Sequence, residues 1–421
     1  MSKQPNVLIF ESSLSGHRAN YVAIHAREFL QLGAKVSLAI PQDALAQPEA
    51  ILLGDILDQA RHIPLPKIDA TLSVLSSSRA KLDLLQQKVR DAQADHCFVP
   101  YADGLSQAWG MKLRPDSLFN RDLVIEGLTM RSRFAYPQFN LKDRLSASIS
   151  YHATKRASWN RLHFLDPLGH QYLVQRNQNL QSNYLIPDIV EKPGAFSQAE
   201  SRQRLKLPTD AHIIACPGAV SEAKGSDKLI DAVLESGNQK LKLVLLGKHS
   251  PSLKAKLEKV GHEDRIVSMD RFADESEFCD LFAAADTIAV CYPRHCGSAS
   301  ILIRAAAYGK SIIGSDWGWI GWAIKTFDLG LTCNTSDPQS ISDALAQISQ
   351  SNHQQTAVIE RFVDYHSPSN HLAHWTDLYR QRFGLPNAVR VDFSQVSDTQ
   401  SMPNLQHEPQ AQIVTELRFP S

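Results

Sequence analysis

An excess of charge of either sign is the first thing missing from this 421-residue sequence: 44 Lys+Arg stand against 44 Asp+Glu. A general nucleic-acid binder carries a basic excess, so no nucleic-acid partner is expected. Also missing is any apolar run near the ~20 residues that span a bilayer. The N-terminus, Met1-Ser-Lys-Gln-Pro-Asn, passes straight into Val7-Leu-Ile-Phe10 with no apolar leader before it. The expected location is therefore cytoplasmic, at most peripheral at the inner membrane face. The six cysteines (97, 216, 279, 291, 296 and 333) form no Cys-x-x-Cys pair and no zinc-like spacing with His. That leaves reduced, mostly buried thiols. No Asp-x-Asp occurs to hold Mg²⁺ or Mn²⁺ on a diphosphate. No Gly-x-Gly-x-x-Gly follows the first apolar run, which argues against a dinucleotide. The expectation is no metal and no cofactor.

What is present is alternation. A strand at 7–10, an amphipathic helix over about 20–32 closed by Gly33, and a strand at 35–41 make one βαβ unit. A helix at 78–94, with Ser78 as candidate N-cap, precedes a buried strand at 96–100. The second half repeats the scheme with strands at 213–216, 241–246, 265–268, 287–292 and 311–314. Its helices fall at 227–234, 275–284 and 300–308. This spacing predicts an α/β chain of doubly wound domains. The two prolines of Leu185-Ile-Pro-Asp-Ile-Val-Glu-Lys-Pro193 mark a linker. The expected division is a first domain over 1–190, a second over 191–350, and helices at about 357–384, broken at Ser367-Pro368, packing back on the first. Beyond 386 the sequence turns polar, with five glutamines between 395 and 412 and prolines at 403, 409 and 420. A disordered or loosely docked tail is expected over 386–421.

Ligands of open α/β sheets bind beyond the carboxyl ends of the strands. There, Gly297-Ser-Ala-Ser300 opens a helix. Its small residues either admit a phosphate to free N–H groups or simply make a turn and an N-cap. Before another helix, Gly218-Ala-Val-Ser-Glu-Ala-Lys224-Gly225 offers Lys224 as a point charge for a diphosphate, or as a solvated lysine ahead of a turn. In the first half, His17 of Ser15-Gly16-His17 is a candidate donor to a phosphate or sugar hydroxyl, or a helix cap. Asp103 of Val99-Pro-Tyr-Ala-Asp-Gly104 is a candidate to orient or deprotonate an acceptor hydroxyl, or an Asp-Gly turn residue. Between 129 and 165, seven Lys/Arg (131, 133, 142, 144, 155, 156 and 161) face one acid, Asp143, with Phe134, Tyr136, Phe139, Tyr151 and Trp159 interleaved. Such a stretch fits an anionic acceptor or membrane surface, or a solvated face.

The order Pro217-Gly218, Lys224-Gly225, Leu229-Ile-Asp-Ala232, Leu243-Val-Leu-Leu-Gly247, Ala284-Ala-Asp-Thr287, Gly297 and Arg304-Ala-Ala-Ala-Tyr-Gly309-Lys-Ser-Ile-Ile313 resembles the donor-binding domain of GT-B glycosyltransferases. The nearest group is the retaining glycosyltransferase family 4. The resemblance covers about 207–345. In the first half it is limited to Ser15-Gly16-His17 and the return of the last helix. It implies two facing Rossmann-like domains, a nucleotide-sugar donor on the second, and an unknown carbohydrate or lipid-linked acceptor on the first. The implied reaction moves the sugar to an acceptor hydroxyl with retention and without a metal, as in polysaccharide or glycolipid synthesis. The implied donor contacts are Gly16, Gly218, Lys224, Gly247, His295, Gly297, Ser298, Ala299, Ser300 and Arg304, with Asp103 and His17 as catalytic candidates.

Two departures from that pattern stand out. Ala219 sits where the family has Arg, and Cys296 and Arg304 sit where it has two glutamates eight positions apart. Arg304 is either a substitute for the charge absent at 219 or a structural residue paired with a neighbouring acid. The departures also fit a GT-B-shaped binding or scaffold protein that has lost turnover. A sugar-nucleotide epimerase of similar shape is a third reading.

Overall fold

The computed structural model describes residues 4–176, 183–350 and 355–397. These divide into two compact units, the first comprising residues up to 186 together with 374–388, the second 187–373 together with the residues from 389 onward.

The first unit holds a seven-stranded sheet: β1 (Asn6–Phe10), β2 (Lys35–Pro41), β3 (Arg61–Leu65), β4 (His96–Val99), β5 (Val124–Thr129), β6 (Arg161–Phe164) and β7 (Asn183–Leu185). Their order is β3-β2-β1-β4-β5-β6-β7, and every pairing is parallel. Val7, Leu8, Ile9 and Phe10 are all buried, as a parallel sheet covered on both faces requires. The helix expected at 78–94 starts earlier, at Val74–Ala92, because Ser73 and not Ser78 accepts the N–H of Ser76 as N-cap. Ser78 is buried inside it.

β5 and β6 carry polar residues that apolar patterning does not announce. Glu126 sits between two imidazoles: His163 Nε2 donates to Oε2 at 2.7 Å, and His96 Nε2 lies 2.8 Å from Oε1. All three are fully buried. The late segment of the chain closes this core. Trp375 packs on Phe98, His163 and His25, with ring centroids 3.8, 4.2 and 4.9 Å away, and Tyr379 meets Phe29 at 5.1 Å.

The second unit holds six parallel strands: β8 (His212–Pro217), β9 (Leu241–Leu246), β10 (Ile266–Met269), β11 (Thr287–Val290), β12 (Ser311–Ser315) and β13 (Gly330–Cys333). Their order is β10-β9-β8-β11-β12-β13. Ile214, Leu243 and Ile313 of the sheet pack against Leu229, Val233 and Leu345 of its helices.

Two sequence expectations are corrected here. The segment 357–384 does not return as one body. The helix Ala357–Tyr365 belongs to the second unit, because its buried stripe Ile359, Phe362 and Val363 packs there, with Phe362 4.5 Å from Phe327. Only the stretch His374–Ala388 joins the first unit. Nor is the whole stretch after 386 loose. Phe393 is buried against Tyr365 and Trp322, with centroids at 5.2 and 5.8 Å. Val391 N–H donates to Asn370 Oδ1 at 2.7 Å, and Asn370 Nδ2 donates back to the Val391 carbonyl at 3.1 Å. The rest of the expected tail, 398–421, lies outside the described residues.

Candidate functional site

In each sheet the strand order reverses once, between β1 and β4 and between β8 and β11. Such points leave a crevice at the strand ends where ligands bind. The second unit gathers most of the expected residues at its reversal. The loops after β8 and β9 touch: a Cβ on Gly247 would stand 1.9 Å from the Gly218 carbonyl oxygen. The φ of +141° at Gly247 reinforces the need for glycine. The loops after β8 and β11 also touch, since a Cβ on Gly225 would stand 2.0 Å from the Cys291 carbonyl oxygen. Lys224 closes a short 3₁₀ turn, Glu222–Lys224, and lays its ammonium over the Tyr292 ring, 3.8 Å from the centroid. Tyr292 itself is buried, and that burial pushes its phenol well above the ordinary range.

The loop after β11 leads into the helix Ser300–Ala307, whose N-cap residue Ala299 makes no side-chain cap. Polar bonds shape the approach. His295 Nε2 donates to the Ser298 carbonyl at 3.1 Å, and Ser298 Oγ donates to Asp188 Oδ2 at 2.8 Å. Asp188, in the expected linker, is a site-shaping residue that the sequence reading did not single out. Gly218, Lys224, Gly247, His295, Gly297, Ser298, Ala299 and Ser300 thus share one edge of this sheet.

Arg304 departs from them. Its guanidinium pairs with Glu275 Oε1 and lies 5.0 and 5.3 Å from the Phe278 and Phe282 ring centroids. Glu275 and both rings stand on the helix Glu275–Ala284. Of the two roles open to Arg304, this arrangement favours the structural residue paired with a neighbouring acid.

In the first unit, Gly16 takes φ +63° at the N-cap of the helix His17–Gln31, so His17 is that helix's first residue. Asp103 opens the helix Asp103–Gly110. Its Oδ1 accepts from the Thr129 hydroxyl and from Arg131 N–H at 3.1 Å, and its Oδ2 from Met130 N–H at 3.2 Å. Burial pushes this carboxyl's pKa up while those donors oppose the rise. The geometry makes Asp103 the tie that holds the loop after β5.

A different carboxylate on this edge escaped the sequence reading. Glu11 directly follows β1 and is 2% exposed. Its Oε1 accepts from Ser13 N–H at 3.1 Å and lies 3.4 Å from Arg18 Nη1, while Oε2 has no hydrogen-bond partner among the described residues. Burial raises its pKa to about 7, against the pull of Arg18 and Lys81. Arg18 in turn lies over the Tyr101 ring at 3.9 Å. A carboxylate directly after the apolar run Val7-Leu-Ile-Phe10 was the signal available.

Residues 197–362 match the family described as Glycosyl transferases group 1. Over this segment the chain is similar to group 1 glycosyl transferases. A D-inositol 3-phosphate glycosyltransferase of Xylanimonas cellulosilytica is 29% identical over 161 residues, 37% of this chain and 38% of that protein. The chain therefore spans well under half the length of this curated relative. Among solved structures, sucrose-phosphate synthase from Thermosynechococcus elongatus superposes with a TM-score of 0.70 at 17% identity, covering 91% of this chain and 100% of that one. HepE of Anabaena in complex with UDP and glucose gives 0.64 at 14%, covering 91% and 100%. The fold, two α/β units with parallel sheets, is GT-B.

Proposed function

We propose that this chain is a glycosyltransferase that moves a sugar from a nucleotide-sugar donor to an acceptor hydroxyl, with retention and without a metal. The observation that carries this reading is the shared edge of the second unit formed by Gly218, Lys224, Gly247 and the loop 295–300. Its likeness to HepE, which was solved with UDP and glucose, supports a nucleotide donor.

The acceptor oxygen forms a bond to the anomeric carbon as the bond from that carbon to the diphosphate oxygen breaks. The nucleoside diphosphate leaves with the electron pair, and a phosphate oxygen takes the hydroxyl proton. Negative charge grows on the diphosphate during this step. The Lys224 ammonium and the N–H groups at the start of the helix Ser300–Ala307 are suited to stabilise it. Release of nucleoside diphosphate from a panel of nucleotide sugars, with and without carbohydrate acceptors, tests the reading. Donor binding without release under every condition would favour the scaffold alternative.

A peripheral membrane contact in the cytoplasm is part of the same proposal. Phe134, Tyr136 and Trp159 are buried, so they do not form the surface read from the sequence. The helix Leu141–Arg156 instead exposes Leu141, Leu145 and Ile149 at 73, 57 and 48%. Lys142, Arg144, Lys155 and Arg156 flank this row, all exposed. An apolar row with basic flanks suits an anionic bilayer and a lipid-linked acceptor. Co-sedimentation with phosphatidylglycerol vesicles, lost in a Leu145→Glu, Ile149→Glu double variant, tests it.

A further inference from the structure

A pocket of about 280 Å³ opens at the carboxyl ends of β1, β2 and β3 in the first unit. Its walls are Ser12 and Ser13 after β1, the turn around Asp43 and Gln47 after β2, the loop after β3, and Ser77 and Lys81 of the helix Val74–Ala92. The size lies just below the ~300–1,000 Å³ range of ligand pockets. It has room for a single ring.

The wall chemistry narrows the class. Serine hydroxyls and the Gln47 amide both donate and accept, the Asp43 carboxylate accepts, and the Lys81 ammonium donates. Sugar hydroxyls need this mixture, since each donates one hydrogen bond and accepts others. Charge in the lining balances: Lys67 and Lys81 stand against Asp43 and Asp69. Asp69 is folded onto its own turn, accepting from Thr71 N–H at 2.8 Å and Thr71 Oγ1 at 2.7 Å. Burial holds the Lys81 pKa below its ordinary value, and Arg18 adds to this while Glu11 opposes it. No net positive charge remains to select a phosphate. The buried Glu11 carboxyl fixes this wall from outside the pocket, since its Oε1 accepts from Ser13 N–H at 3.1 Å.

We propose that this pocket takes a single neutral polyhydroxylated ring, the terminal monosaccharide of the acceptor. The inference rests on the transferase reading for the word acceptor, but the pocket's selectivity is measurable without turnover. Ligand-detected NMR on the full chain would use methyl α-glucopyranoside, methyl α-mannopyranoside and methyl β-galactopyranoside as neutral probes, with glucose 6-phosphate as the charged one. At least one neutral probe should bind. Its affinity should fall tenfold or more in Ser77→Phe, which fills the pocket, and in Asp43→Ala, which removes an acceptor. Nucleoside diphosphate affinity should not change in either variant. Failure of all three neutral probes, unchanged binding in both variants, or glucose 6-phosphate binding more than tenfold tighter than every neutral probe would each overturn the inference. Neutral-probe binding in a chain that binds no nucleotide would sink the transferase reading while leaving the sugar pocket standing.

Discussion

Lys224 Nζ stands 3.8 Å from the centroid of the Tyr292 ring, so the charge of the loop after β8 is seated on a residue just past the end of β11. A cation over an aromatic face stays charged and loses mobility. Lys224→Ala should weaken nucleoside diphosphate binding by roughly 1.5–3 kcal/mol, the range of a charge-assisted hydrogen bond. Tyr292→Leu should cost about 0.5–1 kcal/mol through lost seating. Calorimetry with UDP, GDP and ADP reads both, and an unaffected Lys224→Ala protein would contradict the donor site.

Asp103 accepts from Thr129, Met130 and Arg131, which predicts a stability phenotype. Asp103→Asn turns an amide NH₂ toward N–H donors and should cost about 2 kcal/mol, lowering Tm by roughly 4–8 °C for a unit of this size. Differential scanning calorimetry tests it. A variant with native Tm but slow transfer would return Asp103 to the catalytic role first read from the sequence.

Glu11 gives the fold a pH dependence of a particular sign. Its pKa rises on folding from 4.5 to about 7, so the folded chain holds this proton more tightly than the unfolded one. Stability should therefore fall as pH rises from about 4.5 through 7, by about 3 kcal/mol in total. Glu11→Gln should remove that component, so its stability should exceed that of the parent by more at pH 8 than at pH 5. Urea titrations of both proteins at the two pH values decide the matter; parallel curves would mean Glu11 is ionised throughout.

The His96–Glu126–His163 cluster acts with the opposite sign. Burial alone would raise the Glu126 pKa, but the two imidazoles overrule it and hold it at about 2. Burial depresses His163. Both groups bind protons more readily when unfolded, so their contribution is complete above about 6.5. It is lost in two stages, first as His163 charges and then as pH falls from 4.5 toward 2. Glu126→Gln should cost about 3 kcal/mol at pH 7, as breaking a buried ionic arrangement does. Chemical denaturation at pH 7 and pH 4 should show the gap between the two proteins narrowing with acid.

The same cluster explains what the sequence hid. Strands β1, β8, β9 and β11 are apolar runs flanked by turns, and each was readable from that pattern alone. β5 and β6 were not, because Glu126, Arg161 and His163 read as surface residues until their partners are known. Those partners lie on other strands or near the end of the chain, with Arg161 bonded to Asp377 at 2.8 Å. The loops after β8 and β9 were legible because small residues and glycines announce close approach, as at Gly225 and Gly247. Arg304 was left with two alternatives for the converse reason. Its spacing in the motif was visible, but Glu275, twenty-nine residues earlier, was not visibly its neighbour. Glu11 went unnoticed because one acid after a strand looks like any solvated loop until its burial is seen.

Trp375 and Tyr379 complete the first unit's core from the far end of the chain. A growing chain therefore makes all seven strands of that sheet long before the side chains that cover Phe98, His163 and Phe29. For nearly two hundred residues of synthesis, while the second unit is being made, the imidazole-carboxylate cluster waits without its aromatic lid. The first unit is begun first yet stays open until residues 374–388 are made, and a ribosome stalled at residue 370 would present that uncovered face to the cell's chaperones.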